Sequence, residues 1–203
     1  ICNKLKEIGY KGCFVTFGSV FEMGETHDER FFTEEDVLTS TCPAPNDYTV
    51  SKRMLSSFVS SYKHDLIHWH FYIPTIYGAG ENPKRLIPYV INAIRNGEEL
   101  HFTAGDQTRQ YVHVSEVPRM LAQAFDKNLP SGLYNIQGKE TVTVKEIVTE
   151  IHHAMGKEVP DGCFGSVQRA DVGMKYLALD GKKLHDATGF EASIKITDVI
   201  DTY

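Results

Sequence analysis

The residues with the clearest capacity for chemistry lie in Asn46-Asp-Tyr-Thr-Val-Ser-Lys52, with Ser19 upstream as a partner. Tyr48 and Lys52 stand four apart at the head of a helical pattern, so both project from one face. An acidic hydroxyl beside a fixed ammonium can move a proton. Tyrosine titrates near pH ~10 and is a poor base at neutral pH unless its anion is stabilised, which an opposite charge a few ångströms away does. Spacing alone says little. With 10 tyrosines and 14 lysines in 203 residues, chance supplies about 0.7 such pairs.

The elements around the pair give it a setting. Tyr48 to about His64 reads as the best helix in the chain. Leu55, Val59 and Tyr62 share the face of Tyr48 and Lys52, and Met54 and Phe58 widen the apolar stripe, so the pair is expected to face inward. Gly12 to Phe17 is a short apolar run suited to a buried parallel strand. Gly18-Ser19 follows at its C-terminal end, the edge where open α/β sheets bind ligands. Residues 24–47 are polar, contain Pro43 and Pro45, and read as a long surface loop. Leu66 to Ile73 alternates as a strand, with Ile67, Trp69, Phe71 and Ile73 on one side and His68, His70 and Tyr72 on the other. No third ligand accompanies the two histidines, which therefore read as core or surface residues and not as a metal site.

Downstream, Pro74 to Gly80 is a Gly-rich turn without the G-x-G-x-x-G spacing of a phosphate loop. Helices are expected from about Lys84 to Arg95, after a Ser115 cap, from the Thr143/Glu146 capping box to near Gly156, after Asp180 and from Thr197. Short strands are expected at Leu100–Phe102, Tyr111–Val114 and Leu133–Ile136. This alternation of strands and helices indicates an α/β fold.

Composition excludes several classes. The chain is 41% hydrophobic and 24% charged, with a net charge of −6, and has no basic stripe suited to nucleic acid. No apolar stretch approaches the roughly 18 residues of a membrane span. Cys2, Cys13, Cys42 and Cys163 are scattered, as reduced thiols of a cytoplasmic protein would be, and their spacing suggests no metal. The first residues, Ile-Cys-Asn-Lys-Leu-Lys-Glu, form no signal peptide and read as the middle of a helix, so further sequence is expected upstream.

Taken together, Ser19, Tyr48…Lys52, Pro74-Thr-Ile-Tyr-Gly78, Arg109-Gln-Tyr-Val-His-Val114 and Gly132-Leu-Tyr-Asn-Ile136 resemble the extended short-chain dehydrogenase/reductases. The nearest group is that of the NAD-dependent nucleotide-sugar epimerases and dehydratases. The resemblance runs from about Gly9 to the end, and the Gly-rich cofactor turn that opens the family pattern is absent. It implies the C-terminal part of a Rossmann-type parallel sheet with a smaller α/β substrate-binding domain. Residues 1–78 and 109–136 would belong to the former, and 79–108 and 137–203 to the latter. It also implies that the 203 residues bind dinucleotide poorly unless the missing part is supplied.

In the family pattern Ser19, Tyr48 and Lys52 would be catalytic, and Tyr48, Lys52, Pro74 and Thr75 would face NAD or NADP. A nucleoside-diphosphate sugar would lie against Ser19, Arg85, Leu86, Phe102, Arg109, Tyr111, Arg169 and Asp171. Arg109 would grip the diphosphate, Arg169 and Asp171 would add a second phosphate ligand and a ribose-binding acid, and Leu86 and Phe102 would flank the base. A guanidinium fork suits two phosphate oxygens. Arg169-Ala-Asp171 is one residue shorter than the usual spacing, Thr75 replaces a common Asn, and Tyr72 stands where Arg is frequent. The family's 4,6-dehydratases carry Asp-Glu where this chain has Val20-Phe21, which disfavours dehydration and leaves epimerisation or 4-keto reduction. Ala104 to Arg109 is reminiscent of the synthases that reduce 4-keto sugars. Homodimerisation through the helix carrying Tyr48 is expected by analogy. Competing readings are a non-catalytic relative that binds a nucleotide or a partner, and a fragment without activity of its own.

Overall fold

The computed structural model describes residues 1–61, 65–167 and 174–203. In its first half the elements are α1 (Cys2–Glu7), β1 (Cys13–Ser19), a 3-10 turn (Val20–Met23), α2 (Glu34–Leu38), α3 (Asp47–Ser61), β2 (Ile67–Ile73), β3 (Thr75–Tyr77) and α4 (Leu86–Asn96). There follow β4 (Thr108–His113), α5 (Glu116–Asp126), β5 (Gly132–Asn135), β6 (Glu140–Thr143), α6 (Val144–Ala154), β7 (Tyr176–Leu177) and α7 (Lys182–Thr188). Two 3-10 turns, Ile196–Asp198 and Ile200–Thr202, close the chain.

The fold is α/β, with a parallel sheet in the order β1-β2-β5. Its register pairs Cys13 with Ile67 through Ser19 with Ile73, then Trp69 with Gly132 through Tyr72 with Asn135. Trp69, Phe71 and Ile73 pack with Met120 and Ala124 of α5 and with Leu184 and Phe190. His68, His70 and Tyr72, on the opposite side of β2, are buried too. Both faces are covered, as a parallel sheet requires. β1 is an outer strand, and its second edge meets no strand among the described residues.

A second sheet pairs β3 parallel to β4, β4 antiparallel to β6, and β7 parallel to the start of β4. It draws β3 and β4 from one side of the expected domain division and β6 and β7 from the other. Beside it α4 and α6 build a core from Ile87, Val90, Ile91, Ile147 and Ile151. α6 starts on the anticipated capping box: Thr143 accepts from Glu146 N, and the Glu146 side chain accepts from Thr143 N.

Several elements differ from expectation. The supposed loop 24–47 contains α2, nucleated by a Thr33/Asp36 capping box that the sequence carried openly. Leu100–Phe102 makes only an isolated bridge from Phe102 to Phe164, Thr75–Tyr77 of the expected Gly-rich turn forms β3, and β6 and β7, of four and two residues, were unforeseen. Ser115 makes no side-chain cap; its hydroxyl lies 2.7 Å from His113 Nδ1 instead.

The largest departure is the facing of α3. Tyr48 is 51% exposed, Met54 69% and Phe58 50%, whereas the fully buried residues of the helix are Thr49 and Ser56. The helix packs by a polar side because the sheet surface beneath it carries His70 and the turn carries Glu22, which need hydrogen-bond partners and not hydrocarbon. Apolar periodicity therefore pointed to the wrong face. Lys52 does turn inward, and Tyr62 lies outside the described residues.

Candidate active site

Ser19 ends β1 and begins the 3-10 turn. Its backbone is extended, its Oγ accepts from Phe21 N at 3.2 Å, and its N–H donates to Glu22 Oε1 at 2.7 Å, a capping box that fixes the corner. Accepting from Phe21 leaves the Ser19 hydroxyl its own proton to donate. α3 docks against this corner through two cations. Lys52 Nζ donates to Phe17 O at 2.8 Å and sits 5.7 Å from the centre of the Tyr48 ring. Arg53 donates to Glu22 O at 2.7 Å, Cys42 O at 2.8 Å and Met23 O at 3.0 Å, tying helix, turn and loop together. Lys52 thus reaches the end of β1 two residues before Ser19, with the Tyr48 ring beside its ammonium.

Pro74 and Thr75 follow at the end of β2. Pro74 is buried, and the Thr75 hydroxyl is shielded from solvent with no hydrogen-bond partner among the described residues. A buried donor left unmade is costly, about 1–3 kcal/mol, so a ligand that supplies its acceptor is rewarded. Thr75 faces a cavity of about 200 Å³ whose walls include Phe21, Arg85, Leu86, Arg109 and Tyr111. A neighbouring cavity of about 530 Å³ shares Leu86, Arg109 and Val144 and adds Lys84, Tyr89 and Phe102. Five of the sequence-selected substrate residues (Arg85, Leu86, Phe102, Arg109 and Tyr111) therefore line two adjoining cavities. Arg169 and Asp171 lie outside the described residues.

The lining is anchored from behind. Arg85 pairs with Glu81 at 2.9 Å and donates to Ile76 O at 3.3 Å. Arg109 donates to Thr108 O at 2.8 Å. Burial pushes the Tyr111 hydroxyl up to about 12, against the pull of Arg109 and Arg85. Phe102 stacks on Phe164 with centroids 5.6 Å apart and meets Tyr89 edge-on at 6.2 Å, giving one cavity an aromatic wall.

Three residues of this region escaped the sequence reading. Glu22, Ser56 and His70 come from separate segments and converge beneath Ser19. The Glu22/Ser19 capping spacing was the one available signal.

Residues 1–136 match the NAD dependent epimerase/dehydratase family, and the chain belongs to it. Among curated relatives, the low-salt glycan biosynthesis protein Agl12 of Haloferax volcanii is 29% identical over 143 residues, 66% of this chain and 42% of that protein. The dTDP-glucose 4,6-dehydratase of Escherichia coli is 27% identical over 142 residues, 64% of this chain and 37% of that one. The chain thus spans about two fifths of the relatives it matches. In fold it resembles the NAD complex of dTDP-glucose 4,6-dehydratase from Bacillus anthracis, with a TM-score of 0.82, 19% identity, and coverage of 100% of this chain and 64% of that chain. WbmG of Bordetella bronchiseptica, in complex with NAD and UDP, gives a TM-score of 0.78 at 17% identity, covering 99% and 60%.

Proposed function

We propose that this chain carries the catalytic triad and nucleotide-sugar cavity of an NAD(P)-dependent nucleotide-sugar epimerase or 4-ketoreductase. The observation that supports the reading is Lys52 at the end of β1, two residues before Ser19 and 5.7 Å from the centre of the Tyr48 ring, with Phe21 and Thr75 lining a cavity together with Arg109. The functional division is 1–78 and 109–136 for the cofactor and 79–108 and 137–203 for the sugar nucleotide, with the second sheet bridging them.

NAD or NADP, when bound, would accept or supply hydride at the sugar carbon. The chain's own residues do the rest. Ser19 orients the sugar oxygen by donating its free O–H. Tyr48 takes the proton from that oxygen or returns it, as a general acid–base. Lys52 holds its ammonium beside the Tyr48 ring and offers its remaining donors to the cofactor ribose. Pro74 and the partnerless Thr75 hydroxyl suit the neighbouring cofactor surface. Arg109 and Arg85 bring positive charge to a diphosphate, Tyr111 lies beside them, and Leu86 and Phe102 present apolar surface to a base; Arg169 and Asp171 are assigned to the same substrate.

Val20 is buried in the core and Phe21 lines the cavity, so neither side chain after Ser19 can carry the protons of an elimination. This favours epimerisation or ketone reduction over dehydration. Homodimerisation through the outward stripe of α3 and a cytoplasmic setting, suited to four unpaired cysteines, belong to the same reading. No helix among the described residues is long and apolar enough to cross a membrane.

The test is Tyr48→Phe in the intact protein, assayed with UDP-, CDP-, GDP- and dTDP-sugars. Turnover falls by at least ~100-fold, the usual size of a lost general acid–base, while substrate affinity changes little. Unchanged turnover would remove the enzyme reading.

A further inference from the structure

Beneath α3, five side chains stand in a single hydrogen-bonded file that none of the steps above employs. His68 Nε2 lies 2.8 Å from Thr16 Oγ1, and Thr16 Oγ1 lies 2.8 Å from His70 Nδ1. His70 Nε2 lies 3.0 Å from Ser56 Oγ, which lies 2.5 Å from Glu22 Oε2. The other Glu22 oxygen accepts the Ser19 N–H. Glu22 and His70 are wholly buried. Gly18 makes the space: a Cβ there would stand 2.6 Å from Glu22 Oε1 and 2.7 Å from His70 Nε2.

Counting donors orders the file. Each hydroxyl owns one proton and each neutral imidazole one N–H, so four successive contacts are satisfied only if every donor points the same way. With Glu22 ionised, Ser56 donates to it, His70 Nε2–H donates to Ser56, Thr16 donates to His70 Nδ1, and His68 Nε2–H donates to Thr16. With a proton on Glu22 Oε2, every link reverses, and both histidines carry their proton on Nδ1.

We propose that this file is a proton wire joining His68 to Glu22. Starting from imidazolium at His68 and carboxylate at Glu22, the His68 Nε2–H bond breaks as a Thr16 Oγ1–H bond forms. Thr16's own proton passes to His70 Nδ1, the His70 Nε2 proton passes to Ser56 Oγ, and Ser56's own proton passes to Glu22 Oε2. Both ends finish neutral, no electrons are transferred, and no side chain leaves its place.

The surroundings favour the neutral forms of Glu22 and of His70 in the middle of the file. Burial raises the Glu22 carboxyl, against its hydrogen bonds from Ser56 and Ser19 and the charges of Lys52 and Arg53. Burial lowers His70 to about 4, helped by His68 and Lys52. The charged or titratable groups facing the wire are therefore Lys52 and Arg53 from α3 and Tyr72 from β2; Glu34 and Glu35 of α2 act on Tyr72. A neutral Glu22 is a weaker acceptor for the Ser19 N–H and withdraws a negative charge from near Lys52. Glu22 is thereby a positioning residue for Ser19 and Lys52, a consequence that rests on the enzyme reading; the wire itself does not.

The experiment is nitrogen-15 NMR of the histidine rings in the intact protein near neutral pH, read for tautomer. In the parent, above the pH at which Glu22 takes its proton, His68 and His70 are both Nε2–H. Glu22→Gln places an amide donor against Ser56 and reverses the file, so both rings become Nδ1–H. Adding Thr16→Val to Glu22→Gln leaves His70 reversed and uncouples His68. Should Glu22→Gln fail to fold, Ser56→Ala separates Glu22 from the file, and acid titration then no longer switches the His70 tautomer as it does in the parent. A His68 tautomer indifferent to Glu22→Gln, or one that still follows after Thr16→Val, overturns the wire. These readings need no turnover, so a protein without activity leaves them decisive. If turnover is present, Ser56→Ala shifts the acidic limb of the pH–rate profile.

Discussion

At the scale of single residues, His70 has the plainest pH signature. Its folded pKa is depressed to about 4 from an ordinary 6.5, chiefly by burial. The unfolded chain binds more protons between those values, so this contribution to stability is complete above about pH 6.5 and is lost as pH falls toward 4. The span corresponds to roughly 3 kcal/mol at most. Glu22 acts in the opposite sense, because its folded pKa is raised: its contribution is present at low pH and lost as pH rises through the folded value. Urea denaturation between pH 7 and pH 4.5 checks both signs. Glu22→Gln steepens the acid loss, and His70→Gln flattens it. In the sequence only the capping spacing tied Glu22 to Ser19, and nothing tied His70 to it. Tyr48, Lys52 and Ser19 became candidates in the sequence through their spacing, a strand end and the family resemblance together, whereas Ser56 and His70 reach Glu22 only through the parallel register of β1 with β2 and the docking of α3.

At the scale of elements, the corner formed by β1, the 3-10 turn and α3 depends on one missing side chain. Gly18→Ala forces a methyl to within 2.6 Å of Glu22 Oε1 and of Tyr72 Cδ1. Overpacking of this kind costs about 1–3 kcal/mol, which a denaturant midpoint measures, with the Ser19 corner displaced. A second corner is set by Glu116, whose buried Oε1 accepts from Ser193 N at 2.8 Å and Ile194 N at 3.1 Å while its other oxygen pairs with Arg119. Glu116→Ala orphans those donors and frees the 193–194 segment, at a cost of about 2–3 kcal/mol in the same measurement. Nothing in the sequence marks Glu116 as a corner, since Ser193 and Ile194 lie far along the chain. β1, β2 and α4 were readable from period and length. α3 was readable in extent but not in facing, because its buried side is polar and its hydrocarbon points outward. Apolar periodicity identifies an element's core face only when the surface it meets is apolar as well.

At the scale of the whole molecule, that outward stripe supplies the dimer prediction. Val50, Met54 and Phe58 repeat at four-residue intervals along α3, all substantially exposed. Met54→Lys shifts the intact protein to a monomer by size-exclusion chromatography with light scattering, with turnover per chain largely kept; an unchanged mass places any interface elsewhere. The outer strand has a different consequence. Seven residues of β1, Cys13 to Ser19, carry no proline and no charge, and the strand's second edge meets no other strand among the described residues. Such an edge is a template for strand addition. Prepared as these 203 residues, the chain will therefore be a colloidal problem before it is an enzymological one, its scattering rising with concentration until an added strand occupies that edge.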